Sequence, residues 1–152
     1  MRFRTRLSAA LISGVFLCAP AFGQEASRPE KELFAAVNQA RRAQGLPLLR
    51  WNESLAEAAR RHAVAMANHG SAEHQFGGEP SLSARVKQTG AHFSWLAENV
   101  AQGPTAQFIH RQFMNSPNHR INVLDRDMDS IGVGVAERHG QLFAVEDFSQ
   151  AR

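Results

Sequence analysis

The sequence predicts an α+β fold, a three-layer α-β-α sandwich with a small central antiparallel sheet. Amphipathic helical patterns come first along the chain. In the last third, the side chains alternate with the two-residue period of a β-strand. The final alternating segment, residues 142–148, has apolar side chains on both sides, so helices must cover both faces of its sheet. Helices followed by a covered antiparallel hairpin give the three layers.

Residues 1–23 have the order of a secretory signal peptide. Three arginines precede an uncharged apolar run, and small residues follow at the candidate cleavage sites: Arg2, Arg4, Arg6, residues 7–19, Ala21 and Gly23. We therefore expect one mature domain, residues 24–152, secreted or periplasmic and without a membrane span. An uncleaved anchor is a weaker alternative because the apolar run is short for a membrane span. A lipid-modified Cys18 is weaker still, because Leu17 stands where a small residue is needed.

Removal of this leader changes the charge and the cysteine content of the chain. The three leader arginines account for the whole excess of 17 basic over 14 acidic side chains, so a nucleic-acid partner is not indicated. Cys18 is the only cysteine. The mature domain therefore has no disulfide, and its core must hold without one.

Two amphipathic helices are predicted at the start of the mature domain. A capping box of Ser27 and Glu30 begins the first helix, and Asn52 caps the second. Their apolar faces follow the helical repeat, with Leu33, Val37 and Ala40 on the first helix and Leu55, Ala59, His62 and Met66 on the second. We interpret His62 as a core histidine, and a supporting role beside a site is the less favoured alternative.

The middle of the chain predicts a loop, a short helix, an extended segment and a further helix. Residues 71–80 form a polar loop that carries His74, and Ser81 caps a helix that Gly90 ends. Residues 93–101 read as extended. The next helix opens after Gly103-Pro104 and has Ala106, Ile109 and Phe113 on one face.

A new short helix begins at Ser116. The residue before a proline is pushed out of the α region, so Ser116 suits the N-cap and Pro117 the first helical position. His119 is then the third helical residue, where the positive end of the helix dipole disfavours a protonated ring. We expect His119 to be neutral, the form that binds metal or accepts a proton. The alternative is that its ring merely packs on its own helix.

The last third of the chain predicts a β-hairpin with its turn at residues 138–140. One face of the first strand is apolar and the other carries only glycine, which lets a neighbour come close: Ile131, Val133, Val135, Gly132 and Gly134. The aspartates just before this strand alternate as in a calcium loop. Ser130 and Ala136 stand where an EF-hand needs glycine and glutamate, so we interpret Asp125, Asp127 and Asp129 as a solvated turn.

His74, Glu98 and His119 are the candidate site residues. Two imidazoles and one carboxylate can hold a divalent metal with positions left for water. The three lie far apart in sequence, so their proximity does not follow from spacing. Glu98 also has a structural explanation, because a carboxylate among apolar neighbours needs a partner, and a salt bridge to Arg85 or Arg120 would supply one.

An ordered set of motifs covers essentially the whole mature chain. The motifs are Val37-Asn38-Gln39-Ala40-Arg41, Gly45-Leu46-Pro47-Leu48, Trp51-Asn52, His62-Ala63, Met66-Ala67, His74, Glu98-Asn99-Val100-Ala101, Gly103, Ser116-Pro117-Asn118-His119-Arg120, Asn122, Leu124 and Ile131-Gly132-Val133-Gly134-Val135. In this order they resemble the CAP superfamily, also called the SCP domain or the cysteine-rich secretory, antigen 5 and pathogenesis-related 1 domain. The variant is similar to bacterial secreted members.

The resemblance implies an α-β-α sandwich and a central cleft in which two histidines and up to two acids face each other. By this resemblance His74 matches the first histidine, Glu98 the glutamate of the Glu-Asn motif and His119 the second histidine. The second acid of many relatives is missing here, and Ser116 stands in its place.

The resemblance also implies a non-catalytic binding or effector module. On this hypothesis the cleft of His74, Glu98, Ser116 and His119 binds a small, lipid-like or peptidic ligand, and the two histidines hold zinc or another divalent cation. The alternative is a peptidase-like or esterase-like hydrolase in which Glu98 or His119 activates water. Whether the chain is an enzyme stays open at this point.

Overall fold

The computed structural model describes residues 25–150, so the predicted signal peptide lies outside the described residues. Five helices and four strands occupy this range in the order α1 (Arg28–Ala43), β1 (Arg50–Trp51), α2 (Glu53–His69), α3 (Leu82–Gln88), β2 (Trp95–Gly103), α4 (Ala106–Asn115), α5 (Pro117–Val123), β3 (Ser130–Arg138) and β4 (Gln141–Gln150). Every helix between residues 25 and 150 is too short or too polar to cross a lipid bilayer.

The strands form one sheet in the order β1-β3-β4-β2, which leaves β2 at an edge. The predicted hairpin is confirmed, because β3 and β4 pair antiparallel, and β2 pairs antiparallel with the other side of β4. The two-residue strand β1 was not predicted. Arg50 and Trp51 pair in parallel with Ser130 and Ile131, in the segment between the first two helices.

Helices cover both faces of the sheet, as the three-layer prediction requires. On one face, α1, α4 and α5 contribute to a core with the apolar side of β3, and Leu33, Ile109, Phe113, Val123 and Val133 are completely buried there. On the other face, α2 packs against β3 and β4, and a buried cluster joins Ala59, Ala63 and Met66 of α2 with Val100 of β2 and Val145 of β4. The α3 helix adds Val86 to a smaller cluster with Leu55 and Ala58 of α2. The observed architecture is therefore the predicted α-β-α sandwich.

The glycine face of β3 lies directly under α2. A Cβ atom at Gly132 would stand 2.1 Å from the backbone nitrogen of Ala56, and one at Gly134 would stand 2.1 Å from the backbone nitrogen of Arg60. No side chain fits in that space, so the two glycines set the distance between α2 and the sheet.

The predicted helix starts are confirmed by their caps. Ser27 and Glu30 form the reciprocal capping box, Asn52 accepts a hydrogen bond from the backbone of Leu55, and Ser81 accepts one from Ala84. Ser116 is the N-cap of α5 and Pro117 its first residue, although the Ser116 side chain makes no capping hydrogen bond.

Candidate functional site

The edge strand β2 carries two adjacent polar residues that point to opposite layers. Side chains alternate along a strand, so Glu98 shares the α2 face with Val100, and Asn99 shares the α4 and α5 face with Ala101. Both are buried. The Glu-Asn pair therefore connects the two helical layers at one edge of the sheet.

On the α2 side, Glu98 is held between a histidine and an arginine. Nδ1 of His74, from the loop after α2, lies 2.8 Å from Glu98 Oε1. Nη2 of Arg85, on α3, donates to the other oxygen, Oε2. This confirms the sequence-based expectation of a salt bridge to Arg85 and also brings His74 and Glu98 together.

The carboxylate of Glu98 sets the state of the His74 ring. The hydrogen bond to Glu98 raises the pKa of His74, against a smaller opposing effect of burial. Because Nδ1 donates to the carboxylate, Nε2 carries the lone pair when the ring is neutral. The side chain of His74 is 60% exposed.

A second histidine, which unlike His74 is buried, extends the charged network behind the site. His62 is completely buried on α2, with Nδ1 2.6 Å from Glu79 Oε1 and Nε2 2.8 Å from the carbonyl oxygen of Glu73. Glu79 Oε1 in turn lies 3.8 Å from Nη1 of Arg85. His62 is thus a core histidine, as expected, and is also linked to the candidate site through two charged residues.

His119 approaches the same edge from the α5 layer. Its ring contacts Phe113 edge-on, with centroids 5.3 Å apart, and its carbonyl oxygen accepts a hydrogen bond of 3.2 Å from Asn99. Burial, and then the positive charge of His74, lower the pKa of His119. The expected neutral ring is confirmed, but the two principal causes differ from the helix-dipole effect that the sequence suggested.

Two buried acids on β4 stand behind these residues and were missed by the sequence reasoning. Glu146, opposite Asn99, and Asp147, opposite Glu98, are completely buried. Burial raises the pKa of Glu146 to about 8. Burial, followed by the charge of Glu98, raises the pKa of Asp147 well above its usual range. Two acids in a strand that is apolar on both sides were the available signal.

The predicted three-ligand metal centre is not preformed. Among the residues at 25–150, no group of three or more His, Cys, Asp or Glu side chains is arranged to hold a metal ion. Glu98 is engaged by Arg85 and His74 on its two oxygens. Glu98 is therefore not a free ligand beside the two histidines.

An open groove of about 530 Å³ lies along α5, on the face of the helix that points away from His119. Its lining is mainly apolar with one charge of each sign: Pro117, Arg120, Ile121, Leu124 and Asp125. Ile121 is 67% exposed, so this face of the helix has no partner among residues 25–150 that shields it.

Sequence comparison supports the motif pattern. A sequence model of CAP, the cysteine-rich secretory protein family, matches residues 34–148. The uncharacterized protein YkwD of Bacillus subtilis is 32% identical over 109 residues, which are 71% of this chain and 42% of YkwD. The uncharacterized membrane protein YlbC of the same organism is 30% identical over 114 residues, or 32% of its length. The chain thus spans less than half the length of these two relatives.

Solved structures share the fold. An extracellular protein containing an SCP domain from Bacillus anthracis matches with a TM-score of 0.75 at 25% identity, over 80% of this chain and 40% of that one. An outer surface protein from Borrelia burgdorferi has a TM-score of 0.75 at 19% identity, over 82% of this chain and 93% of its own. NaASP2, crystallised with Zn²⁺, has a TM-score of 0.61 at 9% identity, over 88% of this chain and 84% of its own.

Proposed function

The chain belongs to the cysteine-rich secretory protein (CAP) family, and from this premise we propose that it is a binding module whose His74 and His119 hold a divalent cation. The cation and the neighbouring surface together would bind a small ligand. We further propose a secreted or periplasmic location, because the first 23 residues have the pattern of a signal peptide.

The hydrogen bond between His74 Nδ1 and Glu98 Oε1 is the observation that carries this proposal. Metal-binding histidines commonly donate their second ring N–H to a carboxylate, which fixes the tautomer and directs the other nitrogen to the ion. His74 has this arrangement. His119 has a lowered pKa, so its ring is mainly in the neutral, metal-binding form at pH 7.

Zinc is the cation that we propose to test first. Imidazole nitrogen is a favoured zinc ligand, and a two-histidine set leaves positions for water or for a ligand oxygen. NaASP2, which shares the fold, was crystallised with Zn²⁺. When bound, the ion would supply a positive charge that attracts a carboxylate or carbonyl oxygen.

The groove along α5 supports a partly apolar ligand. Pro117, Ile121 and Leu124 offer apolar contacts there, and Arg120 offers a charge for an acidic group. A lipid-like or peptidic molecule combines these two features. It would lie on the face of α5 that points away from His119, as a second site beside the proposed cation site.

The hydrolase alternative receives less support from the geometry. Both oxygens of Glu98 are engaged, one by the Arg85 guanidinium and one by His74, so this carboxylate is poorly placed to take a proton from water. The Ser116 side chain makes no capping hydrogen bond, and no histidine contact activates it as a nucleophile among the described contacts.

Zinc titration of the folded domain tests the proposal. We expect saturable binding by the unchanged protein. The dissociation constant should be at least about tenfold larger in His74→Ala and in His119→Ala. His92→Ala is the matched control, because His92 is an exposed histidine on another segment and its loss should leave binding unchanged. Equal titration curves for all four proteins would contradict a site made by the two histidines.

A further inference from the structure

Arg85 makes four polar contacts although only 5% of its surface is exposed. Nη2 donates to Glu98 Oε2. Nη1 donates to the carbonyl oxygens of His74 and Pro80, each at 3.2 Å, and lies 3.8 Å from Glu79 Oε1. One guanidinium therefore contacts β2 and both ends of the segment 74–80.

We infer that Arg85 is a positioning residue that fixes His74 from two directions, through its backbone carbonyl and through the Glu98 carboxylate that receives its ring N–H. This inference rests on the proposed cation site, since it concerns the orientation of one of the two histidines. Arg85 itself does not reach the Nε2 face of the ring.

The backbone contacts hold the loop that carries His74. Residues 71–80 contain no helix or strand, so few backbone hydrogen bonds fix their path. Nη1 joins the carbonyls of His74 and Pro80, which are six residues apart in sequence, and this closes the loop onto α3. His62 adds a further anchor through Glu73 and Glu79.

The contact with Glu98 fixes the direction of that side chain. Glu98 is buried, and Nη2 of Arg85 donates to its Oε2 while its Oε1 faces Nδ1 of His74. Loss of the guanidinium would leave Oε2 without this donor and would free the carboxyl group to turn away from the ring.

Arginine suits this position because its planar fork presents several donors in fixed directions. A lysine ammonium is a compact charge on a flexible stem and cannot donate along the same directions at once. We therefore expect Arg85→Lys to retain the ion pair with Glu98 and to lose the contacts with the two carbonyls.

Nitrogen NMR of the His74 ring in metal-free protein tests the inference apart from zinc binding. At a pH above the raised pKa of His74, where the ring is neutral, we expect the unchanged protein to show a single tautomer with the proton on Nδ1. In Arg85→Gln we expect a tautomer mixture, faster amide exchange for residues 74–80 and zinc affinity lower by roughly tenfold or more. In Arg85→Lys we expect the single tautomer with fast-exchanging loop amides.

The control is Arg60→Gln. Arg60 is also ion-paired and mostly buried, with its side chain 12% exposed, but its partners are Glu30 and Glu53. It should leave all three His74 readouts unchanged. An unchanged tautomer and unchanged loop exchange in both Arg85 variants would overturn the inference.

The readouts separate this inference from the cation proposal. A tautomer change without any zinc binding by the unchanged protein would uphold the positioning role and contradict the cation site. If both Arg85 variants bind zinc as tightly as the unchanged protein and keep the tautomer, the cation site would be upheld and the positioning role contradicted. If Arg85→Gln does not fold, the amide exchange of residues 74–80 in Arg85→Lys still tests the positioning role. Unchanged exchange in that variant would contradict it.

Discussion

The side chain of Asn99 makes three hydrogen bonds where β2 meets α5. Its Nδ2 donates to the His119 carbonyl and to Glu146 Oε2, each at 3.2 Å, and its Oδ1 accepts from Asn122 at 2.9 Å. All of these lie at least partly out of solvent. Removal of such a side chain leaves several buried polar groups without a partner.

We therefore predict that Asn99→Ala lowers the free energy of unfolding by about 2–3 kcal/mol. Urea denaturation at neutral pH measures the change. Asn118→Ala is the matched control, because Asn118 is an exposed asparagine on α5 and its loss should stay within about 0.5 kcal/mol. An effect at Asn99 no larger than that of Asn118 would show that these bonds add little to stability.

At the residue scale, the sequence predicted a contact only where a polar side chain among apolar neighbours required a partner. Glu98 among apolar neighbours had to find a partner, and Arg85 was one of two arginines named for it. The burial of Glu146 and Asp147 was not predicted, because it depends on the central position of β4 in the sheet. That position is fixed by strand pairing and cannot be inferred from a strand's own residues.

At the scale of elements, the contact between α2 and β3 leaves no room for a side chain at the two glycines of the strand. We predict that Gly132→Ala destabilises the protein by more than about 2 kcal/mol, because the new methyl group would overlap the α2 backbone at Ala56. Thermal unfolding should show a clearly lower Tm.

Gly77→Ala provides the comparison for this substitution. Gly77 lies in the loop, has no heavy atom within 4 Å of a built Cβ and has a backbone conformation that alanine adopts. Its Tm should change little or rise slightly. Similar losses at Gly77 and Gly132 would indicate a general sensitivity to glycine replacement instead of a tight contact.

The sequence predicted the helices better than the sheet for a local reason. Caps and the helical repeat depend on residues within one turn, so the starts of α1, α2, α3 and α5 were found from the chain alone. Strand β1 has two residues and exists only through its pairing with β3. No local pattern of that length distinguishes a strand from a connection.

At the scale of the whole molecule, buried acids make stability depend on pH. The pKa of Glu146 is about 8 in the folded protein, against an ordinary value of 4.5. Between these pH values the folded protein keeps a proton that the unfolded chain releases, so the free energy of unfolding falls as pH rises toward 8. The raised pKa of Asp147 acts in the same direction.

We predict that Glu146→Gln removes much of this dependence. Its free energy of unfolding, relative to the unchanged protein, should rise between pH 5 and pH 9 by up to about 4 kcal/mol, at 1.36 kcal/mol per pKa unit. Urea denaturation across this pH range gives the difference directly. Parallel curves for the two proteins would mean that Glu146 does not carry the proton.

The position of β2 has a mechanical consequence for a domain whose residues 24–152 include no cysteine. His74 belongs to the α2 side of the sandwich and His119 to the α4 and α5 side, so an ion shared by both would cross-link the two layers at an open border of the sheet. Such a cross-link resists separation of the layers in the way a disulfide does in proteins that contain one. The fraction of the protein that has an ion bound and the force needed to separate its two helical layers would then increase together.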